Sequence, residues 1–200
     1  MNRIHIIDNF ITPDDAKILI DEQNHPSEVN PYPEYYKKRF GGTAFPYNKT
    51  VMDLLVKYGR MSNDVHKEQN GFVNPIHVFK AFGSASVAGS MGGSPHVDAQ
   101  DPEPFIEWST IIYLSNPEDY EGGIIYFPNQ DFEYKPRQYS AVFFPSAGTE
   151  YIHGITRITS GSRHTALFMH TSQPQYADPD FIMPEDKTEW MALHHPLGNT

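Results

Sequence analysis

The sequence contains no cysteine, and this absence excludes several classes of site at once. Disulfide scaffolds, thiolate nucleophiles, cysteine-based zinc sites and iron–sulfur clusters all need a thiol. Long apolar runs are also missing, since no stretch reaches the roughly 18 residues typical of a membrane-spanning helix. The first residues lack the apolar core of a signal peptide. We therefore expect a soluble, cytoplasmic protein with no membrane partner.

Positive charge is scarce as well. Lys and Arg number 15 against 25 Asp and Glu, which gives a formal net charge of −10. Such a surface repels phosphate backbones and anionic lipids, so we do not expect a nucleic-acid partner. Ten histidines in a chain without cysteine direct any metal chemistry to imidazole and carboxylate ligands.

The pattern of short elements predicts a mainly β fold with helices at the N-terminal end. A strand over 4–11 leads into a helix that begins at Thr12-Pro13-Asp14-Asp15, a capping residue followed by proline and two acids. A second helix is predicted over about 50–61, with a polar stretch at 62–72. From residue 74 onward, short apolar runs between Gly, Pro and Asn predict an antiparallel β barrel or sandwich.

We interpret 1–200 as one domain in three parts. Residues 1–73 form a helical support with a lid segment, 74–171 form the β core, and 172–200 form a polar, proline-rich tail. The lid segment is the aperiodic stretch 26–48, which holds a basic and aromatic cluster at 35–40. Two interpretations of this cluster stay open, namely a lid over an extended substrate and a solvated basic turn.

Three residues could share a metal ion. His96 and Asp98 are two positions apart, so in a strand their side chains point to the same face. His153 follows on a later predicted strand and could supply a third ligand. Two histidines and one carboxylate leave coordination positions open, as non-haem Fe(II) oxygenases require. The competing interpretation is a surface histidine beside a solvated acid, with His153 as an ordinary loop residue.

Arg163 stands at the start of a predicted apolar strand. A buried guanidinium needs an anionic partner, and its planar fork matches a carboxylate. Thr165 is two positions further on and could add a hydroxyl donor on the same face. The alternative is a structural ion pair. His164 alternates away from Arg163 and is expected at the surface, whereas Trp108 either lines the mouth of a substrate site or fills the core.

The motifs together resemble the Fe(II)/2-oxoglutarate-dependent dioxygenases of the prolyl-4-hydroxylase-like branch. The resemblance is carried by residues 7–15, 95–98, 109–114, 121–128, 141–145, 153–154 and 161–163. It implies a double-stranded β-helix core, that is, a jelly-roll or cupin-like fold. It also implies that Fe(II) is bound by His96, Asp98 and His153.

The same resemblance implies a cosubstrate site. 2-Oxoglutarate would chelate the metal, and Arg163 would bind its distal carboxylate, with Tyr113 and Thr165 as further contacts. O2 would be the second cosubstrate, and ascorbate an optional addition. The chain departs from collagen-type members at Arg163, where they usually carry lysine, and at Met169, where a tryptophan is common.

The implied reaction is hydroxylation of an unactivated C–H bond with release of succinate and CO2, and a peptidyl-prolyl residue is one candidate target. Two alternatives stay open. The same chemistry could act on a free amino acid, a small metabolite or a nucleobase, or the chain could be a non-enzymatic jelly-roll module that binds a metal or ligand. A peptide or a small molecule is thus the expected partner, and the sequence carries no signal for an oligomeric state.

Overall fold

A computed structural model of the chain describes residues 3–25, 48–71, 75–90, 92–100, 103–178 and 181. Helix α1 covers Pro13–Asn24 and helix α2 covers Lys49–Asn70. Ten strands follow in chain order: β1 (His5–Ile7), β2 (His77–Val87), β3 (Gly93–His96), β4 (Trp108–Tyr113), β5 (Tyr120–Glu121), β6 (Ile125–Phe127), β7 (Phe132–Tyr134), β8 (Ala141–Pro145), β9 (His153–Ile155) and β10 (Ser160–Thr171). Within the described ranges, neither helix combines the length and apolar character that a membrane crossing requires.

The strands form two antiparallel sheets that pack face to face. The larger has the order β1-β8-β4-β10-β2, with β5 paired to β10, and the smaller has the order β3-β9-β6-β7. Ile111, Tyr113 and Phe144 of the larger sheet pack against Ile125 and Phe127 of the smaller. The expected mainly β fold with helices at the N-terminal end is confirmed.

The two helices cover the outer face of the larger sheet. Because side chains alternate along a strand, Ile112 and Phe168 point away from the smaller sheet. They pack instead with Leu19 of α1 and with Leu55 and Tyr58 of α2. Strands β4 and β8 are therefore buried on both faces, which explains why β8 reads as a continuous apolar run, whereas β4 includes the buried polar residues Ser109 and Thr110.

Helix α1 begins as the sequence predicts. The Thr12 hydroxyl accepts a hydrogen bond from the Asp15 amide at 3.2 Å, and Pro13 occupies the first turn. The prediction that α2 ends near residue 61 is wrong. Its polar second half stays helical because Ser62 and His66 are buried, and the helix ends only where Gly71 adopts φ 64°.

The β segments differ from prediction in their bounds, and part of the division lies beyond the described residues. The strand predicted over 4–11 covers only His5–Ile7, whereas the first of the runs expected after residue 74 is a single long strand, β2. Of the lid segment 26–48, only Asn48 is described, and the tail is described at 172–178 and 181. Phe181 packs against α2 and β2, so the start of the tail joins the core. The three-part division stays a prediction.

A buried polar network joins α2 to the back of the larger sheet. The side-chain Oδ1 of Asn63 accepts from Nδ1 of His170 at 2.8 Å, so Nε2 of a neutral His170 accepts from the Thr110 hydroxyl at 3.0 Å. The Thr110 oxygen in turn accepts from Nε2 of His66 at 2.9 Å. Burial holds the pKa of His66 well below its usual value and lowers the pKa of His170 to about 3.

The network makes stability depend on pH. Below about pH 6.5 an unfolded histidine binds a proton, whereas folded His66 and His170 stay neutral. The unfolded state then binds more protons, so the free energy of unfolding falls as pH decreases below about 6.5. His170→Gln removes one of the two groups and should reduce this pH-dependent loss by up to about 1.4 kcal/mol per pH unit.

Denaturant unfolding between about pH 7.5 and pH 5 measures the effect. His25→Gln is the matched control, because it removes an exposed imidazole that lies outside the buried network. A His170→Gln variant with the same pH dependence as the parent chain would contradict the assignment.

Candidate active site

The pairing of β3 with β9 brings two histidines together. His96 and His153 are directly opposite each other in the antiparallel register, and their ring centres are 4.6 Å apart. Side chains opposite each other on neighbouring strands share one face of the sheet. His153 is buried, whereas His96 keeps part of its side chain exposed at the edge of the sheet.

Asp98 joins the pair from just beyond the strand. The prediction that His96 and Asp98 share a strand face is wrong in this detail, because β3 ends at His96 and Asp98 lies in a bend. Its Oδ1 lies 3.4 Å from Nε2 of His96 and 3.8 Å from Nε2 of His153. The three ligand atoms lie within 4.8 Å of one another, so one divalent ion could be bound between them.

Backbone carbonyls set the tautomers of both histidines. Nδ1 of His96 donates to the Ser94 carbonyl at 2.7 Å, and Nδ1 of His153 donates to the Tyr151 carbonyl at 3.2 Å. Nε2 of each ring is therefore the nitrogen that faces Asp98. A metal-binding histidine commonly has this arrangement, in which the second ring nitrogen is fixed by a carbonyl.

The charges at the cluster suit a cation. Burial lowers the pKa of His153 and so favours its neutral form. Burial opposes ionisation of Asp98, but hydrogen bonds from His96 and Ser109 hold the pKa of Asp98 below its usual value. The hydrogen bond to Asp98 raises the pKa of His96, and a bound metal would displace that proton.

Arg163 is buried on β10 without a counter-ion. It is 5% exposed, and no carboxylate of the described residues pairs with it. Its Nε and the Tyr113 hydroxyl both have no hydrogen-bond partner among the residues that the structure places. The guanidinium carbon lies 5.2 Å from the centre of the Tyr113 ring. An unpaired buried cation of this kind requires an anionic ligand.

The neighbours of Arg163 differ in how free they are to bind a ligand. Burial raises the pKa of Tyr113 despite the opposing charge of Arg163, so the hydroxyl keeps its proton and can donate. Thr165 is also buried, but its hydroxyl already donates to the Ser84 carbonyl at 3.4 Å. The structure thus brings Tyr113 and Arg163 together and leaves Thr165 engaged elsewhere.

One cavity contains both the cluster and the cation. Its volume is about 680 Å³, within the usual range for small-molecule sites. Its walls include the three clustered residues, Arg163, Thr165 and the apolar side chains Phe82, Ile155 and Leu167. Tyr113 is not among the lining residues and lies beside Arg163.

Comparison with known proteins agrees with this geometry. Residues 84–170, which include the cluster and Arg163, match the sequence profile of the 2OG-Fe(II) oxygenase superfamily. This match confirms the resemblance to the 2OG-Fe(II) oxygenase superfamily. The expected metal, Fe(II), and the expected cosubstrates, 2-oxoglutarate and O2, are those of the matching family, and these expectations are confirmed.

Among curated relatives, this chain is similar to prolyl 3-hydroxylase 1 from Homo sapiens, with 28% identity over 128 residues. It is also similar to prolyl 3-hydroxylase 1 from Rattus norvegicus, with 33% identity over 87 residues. These matches cover 62% and 41% of this chain. They cover only 16% and 12% of the two relatives, so the chain spans a small part of their length.

Solved structures share the fold. A viral collagen prolyl hydroxylase from Paramecium Bursaria Chlorella virus-1, in complex with 2OG, has a TM-score of 0.63 and 19% identity over 85% of this chain and 96% of its own. A Pseudomonas putida prolyl-4-hydroxylase has a TM-score of 0.62 and 14% identity over 86% and 94% of the two chains. The expected double-stranded β-helix is confirmed.

The residues of the cavity fit the ligands of the matching family. Two imidazoles and a carboxylate are a typical ligand set for non-haem Fe(II), and they leave further coordination positions open. The buried, unpaired guanidinium of Arg163 matches the second carboxylate of 2-oxoglutarate. The roles of individual residues stay predictions, and Thr165 has the weakest geometric support.

Gly123 is a site residue that the sequence analysis missed. Its φ is +68°, and a Cβ atom there would lie 2.7 Å from Cδ of Arg163. Glycine at this position therefore leaves room for the arginine stem to pass. The sequence shows 121–123 only as a turn, and the contact with Arg163 arises through the fold.

Two other expectations can now be judged. The prediction that His164 lies at the surface is wrong, because it is buried between Ser115 and Asn24, with hydrogen bonds of 3.1 and 3.0 Å. Its strand is covered by α1 on the side opposite the cavity. Trp108 is buried beside His66, with ring centres 5.5 Å apart, so the core interpretation is confirmed.

The cluster predicts how the metal responds to mutation. Asp98→Ala removes the oxygen shared by both histidines and should abolish stoichiometric Co(II) binding in a calorimetric titration. Asp53→Ala removes an exposed helix carboxylate and is the matched control. Unchanged Co(II) affinity in Asp98→Ala would rule out this cluster as the metal site.

Proposed function

We propose that this chain is a dioxygenase that uses Fe(II), 2-oxoglutarate and O2 to hydroxylate an unactivated C–H bond of a peptidyl-prolyl residue, releasing succinate and CO2. The observation that carries the proposal is that one cavity of about 680 Å³ holds both a three-ligand cluster and a buried guanidinium that has no counter-ion among the described residues. The first suits a metal and the second suits the far end of a dicarboxylate.

The protein residues divide the work between binding and orientation. His96, Asp98 and His153 would hold the metal from one side and leave the facing positions to other ligands. When bound, the iron centre supplies the oxidising chemistry, which couples decarboxylation of 2-oxoglutarate to hydroxylation of the substrate. The chain's own part is to fix the geometry and the local charge.

Arg163 and Tyr113 would bind the distal carboxylate of the cosubstrate. The guanidinium offers a forked pair of donors, and the protonated phenol beside it offers one more. The charge pairing between the Arg163 guanidinium and the bound carboxylate would be strong, because Arg163 is buried and water screens the charges only weakly there. It would hold 2-oxoglutarate in one orientation, with its keto-acid end toward the ligand cluster.

The cavity walls would exclude water from the reacting centre. Phe82, Ile155 and Leu167 line the cavity with apolar surface. Exclusion of water by this apolar lining would strengthen the charge pairing at Arg163 and would protect a reactive centre from side reactions. The same walls leave the metal accessible from the cavity, where a substrate side chain would enter.

The choice of a prolyl substrate rests on similarity. The curated relatives are named prolyl 3-hydroxylase 1, and two structural neighbours are named as a collagen prolyl hydroxylase and a prolyl-4-hydroxylase. Arg163 and Met169 differ from the pattern of collagen-type members, so we propose no particular peptide sequence around the target proline.

A peptide screen tests the proposal. The purified chain is incubated with Fe(II), 2-oxoglutarate and proline-containing peptides, with Asp98→Ala as the inactive control. We expect succinate together with a mass increase of one oxygen atom on proline. If oxygen is incorporated only into small molecules, the substrate is a free amino acid or a metabolite instead of a peptide. The absence of both succinate and metal-dependent 2-oxoglutarate binding would favour a non-enzymatic binding module.

Arg163 gives a sharper prediction for the cosubstrate. Arg163→Ala should raise the KM for 2-oxoglutarate by at least on the order of 100-fold, because charge-assisted hydrogen bonds are lost. Co(II) affinity should stay close to that of the parent chain. Arg163→Lys keeps the charge without the forked geometry and should fall between the two. Equal losses of metal and 2-oxoglutarate binding would contradict the assigned role.

A further inference from the structure

The two carboxylate oxygens of Asp98 have different partners. Oδ1 faces Nε2 of His96 at 3.4 Å and Nε2 of His153 at 3.8 Å. Oδ2 points the other way and accepts a hydrogen bond from the Ser109 hydroxyl at 2.5 Å. One oxygen is therefore directed at the metal position, and the other is held by the protein.

Ser109 is itself held by a second serine. It lies on β4 and is 3% exposed, and its Oγ is 2.6 Å from Oγ of Ser146, which is 1% exposed. A metal-bound carboxylate can only accept, so the single hydroxyl proton of Ser109 goes to Asp98. Ser146 must then donate to Ser109. The hydrogen bonds thus run in one direction, from Ser146 through Ser109 to Asp98.

The backbone of Ser146 fixes the same loop. Its amide donates to the Glu107 carbonyl at 2.9 Å, just before β4, and its carbonyl accepts from the Ala99 amide at 3.0 Å. Ser146 therefore contacts the chain on both sides of the site, at the residue after Asp98 and at the start of the strand that carries Ser109. The hydroxyl and the peptide groups of Ser146 therefore restrain the chain next to Asp98 and next to Ser109 together.

Such restraint is needed because Asp98 lies outside a strand. It follows the end of β3 in a bend, so no ladder of backbone hydrogen bonds sets the direction of its side chain. A free carboxylate could turn and chelate a metal with both oxygens. Chelation by both would occupy a coordination position that the keto acid or O2 requires.

We propose that Ser109, oriented by Ser146, is a positioning residue that keeps Asp98 a monodentate ligand through Oδ1. This inference rests on the proposed function, since it assumes that the cluster binds the iron. It adds a role for two buried hydroxyl groups to which the sequence analysis assigns none.

Co(II) titration of the metal-free chain tests the proposal without relying on turnover. Ser109→Ala should weaken Co(II) binding by about 10- to 100-fold, the usual effect of losing such a supporting group. Its Co(II) visible absorption spectrum should also change, because the number of coordinating oxygens changes. Ser109→Thr keeps the donor and should restore the spectrum of the parent chain, and Ser146→Ala should give a smaller loss of affinity.

Ser62→Ala is the matched control. Ser62 is fully buried in α2 and donates to the Tyr58 carbonyl at 2.8 Å, so its loss perturbs packing without touching the cluster. It should lower the Tm and leave Co(II) affinity and spectrum unchanged. If Ser109→Ala behaves like this control, the proposed role is wrong while the metal site stands. If the parent chain binds no Co(II), the proposed function fails at its first step.

Discussion

The cross-strand pairing of His96 with His153 is the contact on which the site depends. β3 is an edge strand, and its register against β9 shifts between Gly93 and His96. Such an irregularity re-aims a side chain, here toward the cavity. The chain just before β3 can approach β9 closely because Gly92 has no Cβ atom. A Cβ at this position would lie 2.2 Å from the Ile155 carbonyl oxygen. A metal site at this edge thus needs glycine as much as it needs histidine.

The fold buries a cation at a position in the cavity where it does not stabilise the folded chain by itself. Arg163 is buried on β10 with no acidic partner among the described residues, although the chain carries 25 acids. Leaving a buried charge unpaired costs several kcal/mol, on the order of what removing one partner of a buried ion pair costs. The neighbouring Tyr113 hydroxyl is also without a hydrogen-bond partner among the described residues. The two unsatisfied groups therefore lie side by side. A dicarboxylate would relieve both defects.

The sequence could predict the features that depend on local pattern. Thr12 caps α1 because capping needs only nearby residues, and alternation along β10 places Arg163 on the inner face. It could not predict features that depend on distant partners. The polar half of α2 stays helical because His66 finds Thr110 across the interface. His164 is buried because α1 supplies Asn24, a contact that no spacing within β10 reveals.

Strand β4 explains how a buried sheet carries polar chemistry on both faces. Ser109 points to the metal cluster and hydrogen-bonds Asp98 and Ser146, while the next residue, Thr110, points to the helices and hydrogen-bonds His66 and His170. Both residues are almost fully buried, and both hydroxyls are satisfied, so neither carries the usual penalty of a buried polar group. Because Ser109 and Thr110 are neighbours on one strand and point to opposite faces, the same short stretch of backbone hydrogen-bonds the helix layer on one side and the metal ligand Asp98 on the other. The rigidity of the site therefore comes from the layer behind it as well as from the cavity.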